Sequence, residues 1–241
     1  PGNGLAAVMY AASTVNAKVG KGVNVTLTEA TQYPFDGTVT LRVQCAAPVE
    51  FPLYLRIPAW CQSAALELNG QAVKCESRPG AYLKVDRAWR SGDTVKLTLP
   101  MQTVVKTWTA NQNSVSVNRG PLTFSIKIGE KYVRYEPSRF AEPWPAWEIV
   151  PTSSWNYALQ INPSRVADSF LVVTKNWPIN NMPFTQEGAP VELQAKARKL
   201  PNWQEDHLGL VDKLPPSPVK SAEPLETITL IPMGAARLRL T

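Results

Sequence analysis

Histidine occurs once in the 241 residues and cysteine three times, so the side chains that most often begin chemical reactions are scarce. His207 is the one candidate imidazole base for serine-type catalysis, and no G-x-S-x-G precedes it. A lone loop histidine is more often solvated or hydrogen-bonded than catalytic, because base action also needs a nucleophile and an orienting group within reach. Cys45, Cys61 and Cys75 are not adjacent and show no C-x-x-C spacing, which argues against a zinc site. One disulfide with a thiol left over, or three free thiols, are both open. No apolar run approaches the roughly 20 residues that a spanning helix needs. The net charge is +6, yet the longest adjacent basic run is Arg198-Lys199, so the clustered footprint of nucleic-acid binding is missing. Neither a low-complexity tract nor a repeat of 20 to 50 residues occurs, which excludes solenoids and propellers. The opening PGNGLAAVMYAASTV has no initiator Met and no basic n-region, so the chain is expected to be cut from something longer.

What is present is strand and turn. Twenty-two prolines are hard to place in helices, since each removes an amide donor and clashes with the preceding turn. Val15, Ala17 and Val19 alternate, Gly20-Lys21-Gly22 turns the chain, and Val23, Val25 and Leu27 alternate again. The same period of two runs through Val39 to Cys45, Phe51 to Ile57, Ala64 to Leu68, Val73 to Cys75, Ala81 to Val85 and Val95 to Leu99. Asn69-Gly70 suits a type I′ hairpin, whose central residues both need positive φ. Trp60 and Trp89 fall inside this pattern and are expected in the core. Later strands are expected at Val115 to Val117, Leu122 to Ile128, Val166 to Lys175 and Val191 to Lys199, and Leu214-Pro215-Pro216-Ser217-Pro218 reads as a stiff crossing. The pattern predicts an all-β protein of two antiparallel β-sandwich, jelly-roll-like domains with no substantial helix. Residues 1–108 form the first sandwich and residues 109–223 a second β-rich domain. The last strand, 224–241, is free to pair back onto the first.

Candidate chemistry is thin. Glycoside hydrolysis usually requires two carboxyl groups facing each other across the scissile bond, and Glu130, Glu136, Glu142 and Glu148 are the carboxylates available, although loop residues of this kind are mostly solvated. The run Glu205-Asp206-His207 fails as a metal site, because consecutive side chains on an extended segment point in different directions. Between Arg139 and Pro163 the composition shifts to a long structured loop rich in aromatics. Trp144, Trp147, Trp155 and Tyr157 offer flat faces that can stack on sugar rings or plug a seam between domains. They are the candidate carbohydrate-binding residues, while no catalytic or metal residue is assigned. Asn24-Val25-Thr26 matches the glycosylation pattern but falls in an expected strand, where the match is read as coincidence.

Leu55-Arg56-Ile57-Pro58-Ala59-Trp60-Cys61, Asn69-Gly70, Gly80-Ala81-Tyr82 to Trp89, Gly92-Asp93 and Arg119-Gly120-Pro121-Leu122 occur in an order that resembles one family. With Thr31-Gln32-Tyr33-Pro34-Phe35-Asp36-Gly37 and Thr229-Leu230-Ile231-Pro232-Met233-Gly234, the chain is similar over nearly its whole length to the C-terminal β-region of the β-L-arabinofuranosidase-like enzymes, glycoside hydrolase family 127 and its relatives. The resemblance implies an (α/α)6 catalytic barrel ahead of the β-sandwiches and activity on arabinofuranosides of plant cell-wall glycans. It also implies a zinc-bound cysteine nucleophile from an adjacent Cys pair and a glutamate acid/base, all in the barrel. No two cysteines are adjacent here, so Cys45, Cys61 and Cys75 do not take that role, and no cofactor is expected in this portion. Two readings follow: a non-catalytic support for the barrel, or a self-sufficient carbohydrate-binding module using the 139–163 loop. The expected partners are the chain's own barrel and plant-type glycan, with no nucleic acid and no membrane span. Self-association through the barrel-facing surface is also expected. A periplasmic or secreted bacterial location is what the resemblance suggests.

Overall fold

The computed structural model describes residues 3–134 and 144–240, and these divide into two compact units, Pro1–Gln102 and Thr103–Thr241. The first holds β1 (Leu5–Ala7), β2 (Ser13–Val19), β3 (Val23–Thr31), β4 (Thr38–Cys45), β5 (Val49–Arg56), β6 (Ala65–Leu68), β7 (Gln71–Val73), β8 (Tyr82–Trp89) and β9 (Thr94–Thr98). The strands read from the alternation are present except that the one expected at Val73 to Cys75 lies at Gln71–Val73, directly after the Asn69-Gly70 turn, while the short β1 carried too few residues to show a period. Two sheets result, one ordered β2-β3-β4-β9-β6-β7 and one ordered β1-β5-β8. All pairs are antiparallel except β1 with β5, where Leu5 sits in register with Leu53 in a parallel pair.

The period of two explains the layers. Val39, Leu41 and Val43 on β4 are fully buried, as are Leu53 and Leu55 on β5, while Arg42 and Arg56 between or beyond them face water. The inward rows of both sheets join one core that includes Val25, Leu27, Phe51, Val85, Val95 and Leu97. Each such side chain contributes about 1.5–3 kcal/mol on leaving water. Trp89 is sealed within this core, its ring 5.7 Å from that of Phe51, and its indole N–H donates to the Phe51 carbonyl at 2.9 Å. That bond supplies the partner without which burying the indole would be costly. Trp60 lies in the turn beyond β5 and packs against the core while only partly buried.

Turns set the register. Asn69 and Gly70 both have positive φ, 51° and 79°, so β6 and β7 meet in the expected two-residue hairpin. The Asn69 side chain then reaches β9, accepting the Thr94 N–H at 2.8 Å and donating to Asp93 at 2.9 Å. At the inward end of β3, the apolar row Val25, Leu27 continues with Glu29, whose carboxylate accepts the Ala11 N–H at 2.8 Å. Burial pushes the Glu29 carboxyl up, and that amide only partly offsets it. The three cysteines are free, Cys61 fully buried, with its thiol pushed up by burial.

The second unit holds β10 (Thr103–Trp108), β11 (Ser114–Arg119), β12 (Leu122–Ile126), β13 (Glu130–Arg134), β14 (Trp147–Pro151), β15 (Tyr157–Leu159), β16 (Phe170–Thr174), β17 (Val191–Lys199) and β18 (Leu225–Pro232), with two single 3-10 turns at Val166–Ser169 and Met233–Ala235. A seven-stranded sheet runs β10-β11-β12-β18-β17-β15, with β16 also on β17, and β13 and β14 form a separate hairpin. Three expectations need correction. Val166–Ser169, expected as the start of a strand, is a 3-10 turn, and the strand begins at Phe170. Thr103–Trp108 pairs with β11 rather than closing the first sandwich, so the compact units meet at residue 102 instead of 108. The last strand does not return to the first sandwich: Leu225–Pro232 lies between β12 and β17, with Leu230 opposite both Ile126 and Leu193. Its buried residues Ile228, Leu230 and Ile231 fill the second unit instead. No helix among the described residues is long and apolar enough to cross a membrane.

Gly37 marks where backbones come closest. A Cβ there would stand 2.0 Å from the Leu99 carbonyl oxygen, which cannot yield because the Leu99 N–H donates to the Gly37 carbonyl at 2.8 Å. Gly37→Ala is expected to destabilise the first unit by about 2–4 kcal/mol in urea titrations. Gly70→Asn, with open space and a φ that Asn tolerates, is expected to cost less than about 1 kcal/mol.

Candidate functional site

The aromatic-rich stretch resolves into separate environments rather than one platform. Glu136, Glu142 and the part of the loop at 139–143 lie outside the described residues. Trp144, ahead of β14, is 82% exposed, and Trp147, the first residue of that strand, is 53% exposed and in register with Arg134 of β13. Trp155 is half-buried and meets Trp203 edge to face, ring centres 5.1 Å apart at 77°. Tyr157 lies on β15, its hydroxyl donating to Glu226 at 2.9 Å and its ring near the Lys199 ammonium at 6.0 Å. Burial first, and then the Glu226 carboxylate, push the Tyr157 phenol up. The expected long loop thus contains two short strands, because Glu148 to Val150 extends against Lys131 to Val133 despite its flanking prolines.

Trp203 is what sequence reasoning missed. It is buried, its backbone N–H donates to Leu200, and its indole N–H donates to Asp212 at 3.1 Å. Its one legible signal was an aromatic flanked by loop residues. From it the chain runs into a tight loop in which Glu205 bridges to Val211. Asp206 accepts the N–H groups of Leu208 and Leu210 at 2.8 and 2.9 Å, and Gly209 takes a φ of 75°. Asp206 is therefore a loop brace, while Glu205 and His207 are left exposed.

This loop, β14, Trp155 and the segment 238–240 enclose a cleft of about 710 Å³ lined by Glu148, Trp155, Glu205, His207 and Arg239 among apolar neighbours. A second cavity of about 430 Å³, lined by Phe124, Ile126, Tyr157, Trp203 and Pro215, is mainly apolar. Of the candidate carboxylates, Glu148 lines the cleft and Glu130 does not. Glu130 accepts the N–H groups of Arg237 and Leu238 at 2.7 and 3.1 Å and the Tyr132 hydroxyl at 3.2 Å, tying β13 to the segment after β18. Partial burial alone would raise its carboxyl, but the two amides, Gln186 and Tyr132 outweigh it and hold the group below its ordinary value. Among the described residues no three His, Cys, Asp or Glu side chains gather to hold a metal ion. Asn24 lies on β3, in register with Lys18 of β2.

Because the Glu130 carboxyl binds its proton less readily when folded, its contribution is whole above the ordinary value of 4.5 and fades as the pH falls through the lowered folded value. Glu130→Gln is expected to lower stability by about 1 kcal/mol at neutral pH, allowing for partial solvation. Urea midpoints of the two proteins should converge below pH 4.5.

Known proteins share this arrangement. Residues 4–101 match the family model described as Beta-L-arabinofuranosidase, GH127 middle domain. Among solved structures, a glycoside hydrolase is 26% identical with a TM-score of 0.62, over 95% of this chain and 33% of its own. A GH127 β-L-arabinofuranosidase from Geobacillus stearothermophilus T6 is 23% identical with a TM-score of 0.62, over 97% of this chain and 32% of its own. A further GH127 β-arabinofuranosidase is 21% identical with a TM-score of 0.63, over 97% and 33%. Below 25% identity the latter two speak for the fold. No curated protein sequence matches the chain. The chain spans about a third of the solved structures it matches, and resembles that partial region of the GH127 β-L-arabinofuranosidases.

Proposed function

We propose that this chain is a non-catalytic β-sandwich portion of a glycoside hydrolase resembling the β-L-arabinofuranosidases, and that it supports an (α/α)6 catalytic barrel encoded ahead of it. The observation that carries the reading is the middle-domain match over residues 4–101, together with coverage of only a third of each solved relative. The chemistry of the chain agrees. Cys61 is sealed in the core with a raised thiol, Cys45 and Cys75 lie partly buried against it, and Glu130 is committed to backbone amides. A nucleophile must instead be exposed and activated. On this reading the barrel supplies the bond-breaking groups and any zinc, the substrate is an arabinofuranoside of plant cell-wall glycan, and the protein works outside the cytoplasm of a bacterium.

Carbohydrate binding by the aromatic stretch is the second reading, favoured by the exposure of Trp144 and Trp147. Both readings agree that the purified polypeptide should not hydrolyse 4-nitrophenyl β-L-arabinofuranoside above the blank. Turnover that follows the polypeptide through successive columns would overturn the non-catalytic assignment.

On this reading the free chain leaves uncovered apolar side chains that a barrel would cover, and each unit exposes one strongly, Met9 at 81% in the first and Ile179 at 106% in the second. The free polypeptide is expected to self-associate, with light-scattering mass rising above 26.5 kDa as concentration rises. A constant monomer mass would reject an uncovered docking face.

A further inference from the structure

We infer that the cleft between β14 and the loop at 204–212 is a binding site for a neutral, hydroxyl-rich saccharide, with Trp155 as its stacking platform and Glu148, Glu205, His207 and Arg239 as its polar rim. All of these residues belong to the second unit and line one cleft of about 710 Å³, within the roughly 300–1,000 Å³ usual for small-ligand sites.

The platform is built to stay in place. Trp155 is braced edge to face by Trp203, which is itself fixed by a buried position and by hydrogen bonds to Leu200 and Asp212. A ring held this way loses little freedom when a flat ligand stacks on it. The loop that contributes Glu205 and His207 to the lining is held by Asp206, whose carboxylate captures two loop amides. Arg239 is steadied by its Nε, which donates to the Ala236 carbonyl at 2.9 Å.

The mixture of groups selects the ligand class. Two carboxylates accept hydrogen bonds from hydroxyls but repel phosphates and other anions, so a nucleotide is disfavoured. A purely apolar ligand would strip water from the carboxylates, imidazole and guanidinium without replacing it. A sugar offers C–H faces to Trp155 and vicinal hydroxyls to the rim at once. Trp144 and Tyr157 are not part of this cleft, so the site differs from a surface made of the whole aromatic stretch. The choice of arabinan as first probe rests on the glycoside-hydrolase reading above.

The test is affinity electrophoresis of the full 241-residue chain in native gels containing arabinan, with pectin and xylan in parallel. Retardation by at least one glycan is expected. Trp155→Ala should weaken it by at least about tenfold, and Glu148→Gln and Glu205→Gln by roughly three- to tenfold each. Trp144→Ala should leave it unchanged. The two Glu→Gln variants alter exposed side chains and keep the assay decisive if Trp155→Ala fails to fold. No retardation by any of the three glycans, or retardation that is lost in Trp144→Ala and untouched in Glu205→Gln, would overturn the site. Absent binding leaves the support role standing, whereas turnover by the purified chain removes the non-catalytic assignment and leaves the site standing.

Discussion

A period of two, held in register by turns that only certain residues can make, is the constraint on which the first unit depends. Slipping one strand by a single residue would send Val39, Leu41 and Val43 into water and bring Arg42 into the core. Burial penalises such a slip, and the turns supply the register that avoids one. Asn69-Gly70 supplies it at one end of the sheet, and the Asn69 side chain carries it across to Asp93 and Thr94. Arg90 N–H and Asn69 both donate to the Asp93 carboxylate, and Arg87 stands 3.6 Å away. Although burial opposes ionisation there, these donors and charges leave the group below its ordinary value, so the turn is fastened while Asp93 is charged.

The second unit is held differently. Its long sheet has a buried row through Phe124, Val191, Leu193, Ala195 and Leu230, but the strands on either side are joined by irregular segments too polar to be fixed by burial. Side chains reaching to backbone groups do that work. Glu130 ties the hairpin to the segment after β18, Asn156 donates to the carbonyls of Leu200 and Trp203, and Asp206 closes its own loop. Such bonds are each worth roughly 0.5–1.5 kcal/mol net, more where a carboxylate accepts. They are also specific in direction. They place Trp155 against Trp203, and thereby shape the cleft, in a way that hydrophobic burial alone would not.

This difference explains what could be read in advance. Strands such as β3, β4, β8 and β9 were legible because each turns one face outward and buries the other, so the sequence repeats the geometry. Glu148-Ile149-Val150 was not legible as strand, since it is short, flanked by prolines and largely exposed. The pairing of Leu225–Pro232 with β12 and β17 was illegible for another reason: alternation shows that a strand exists and which face it buries, but not whose edge it joins. Trp155 was found as an aromatic, yet its partner Trp203 stands 48 positions later, and the loop that completes the cleft is fixed by a carboxylate-to-amide pattern that composition does not reveal. Glu130 illustrates the converse, a carboxylate that invites a catalytic reading until its backbone partners are known.

The two kinds of construction also bear on what each unit is suited to do. A sandwich whose inward rows are apolar apart from Glu29 can tolerate little change inside, and its free thiols and raised carboxyl at Glu29 are consequences of burial rather than preparations for reaction. Reactive groups need a solvent path and a partner that shifts them toward the reactive form, and the first core provides neither to Cys61. The second unit has the opposite character: its irregular segments leave carboxylates, an imidazole and a guanidinium exposed beside a braced indole. The proposed saccharide site thus lies wholly in the second unit, and the proposed support role needs none of its polar groups. The two roles do not compete for the same residues.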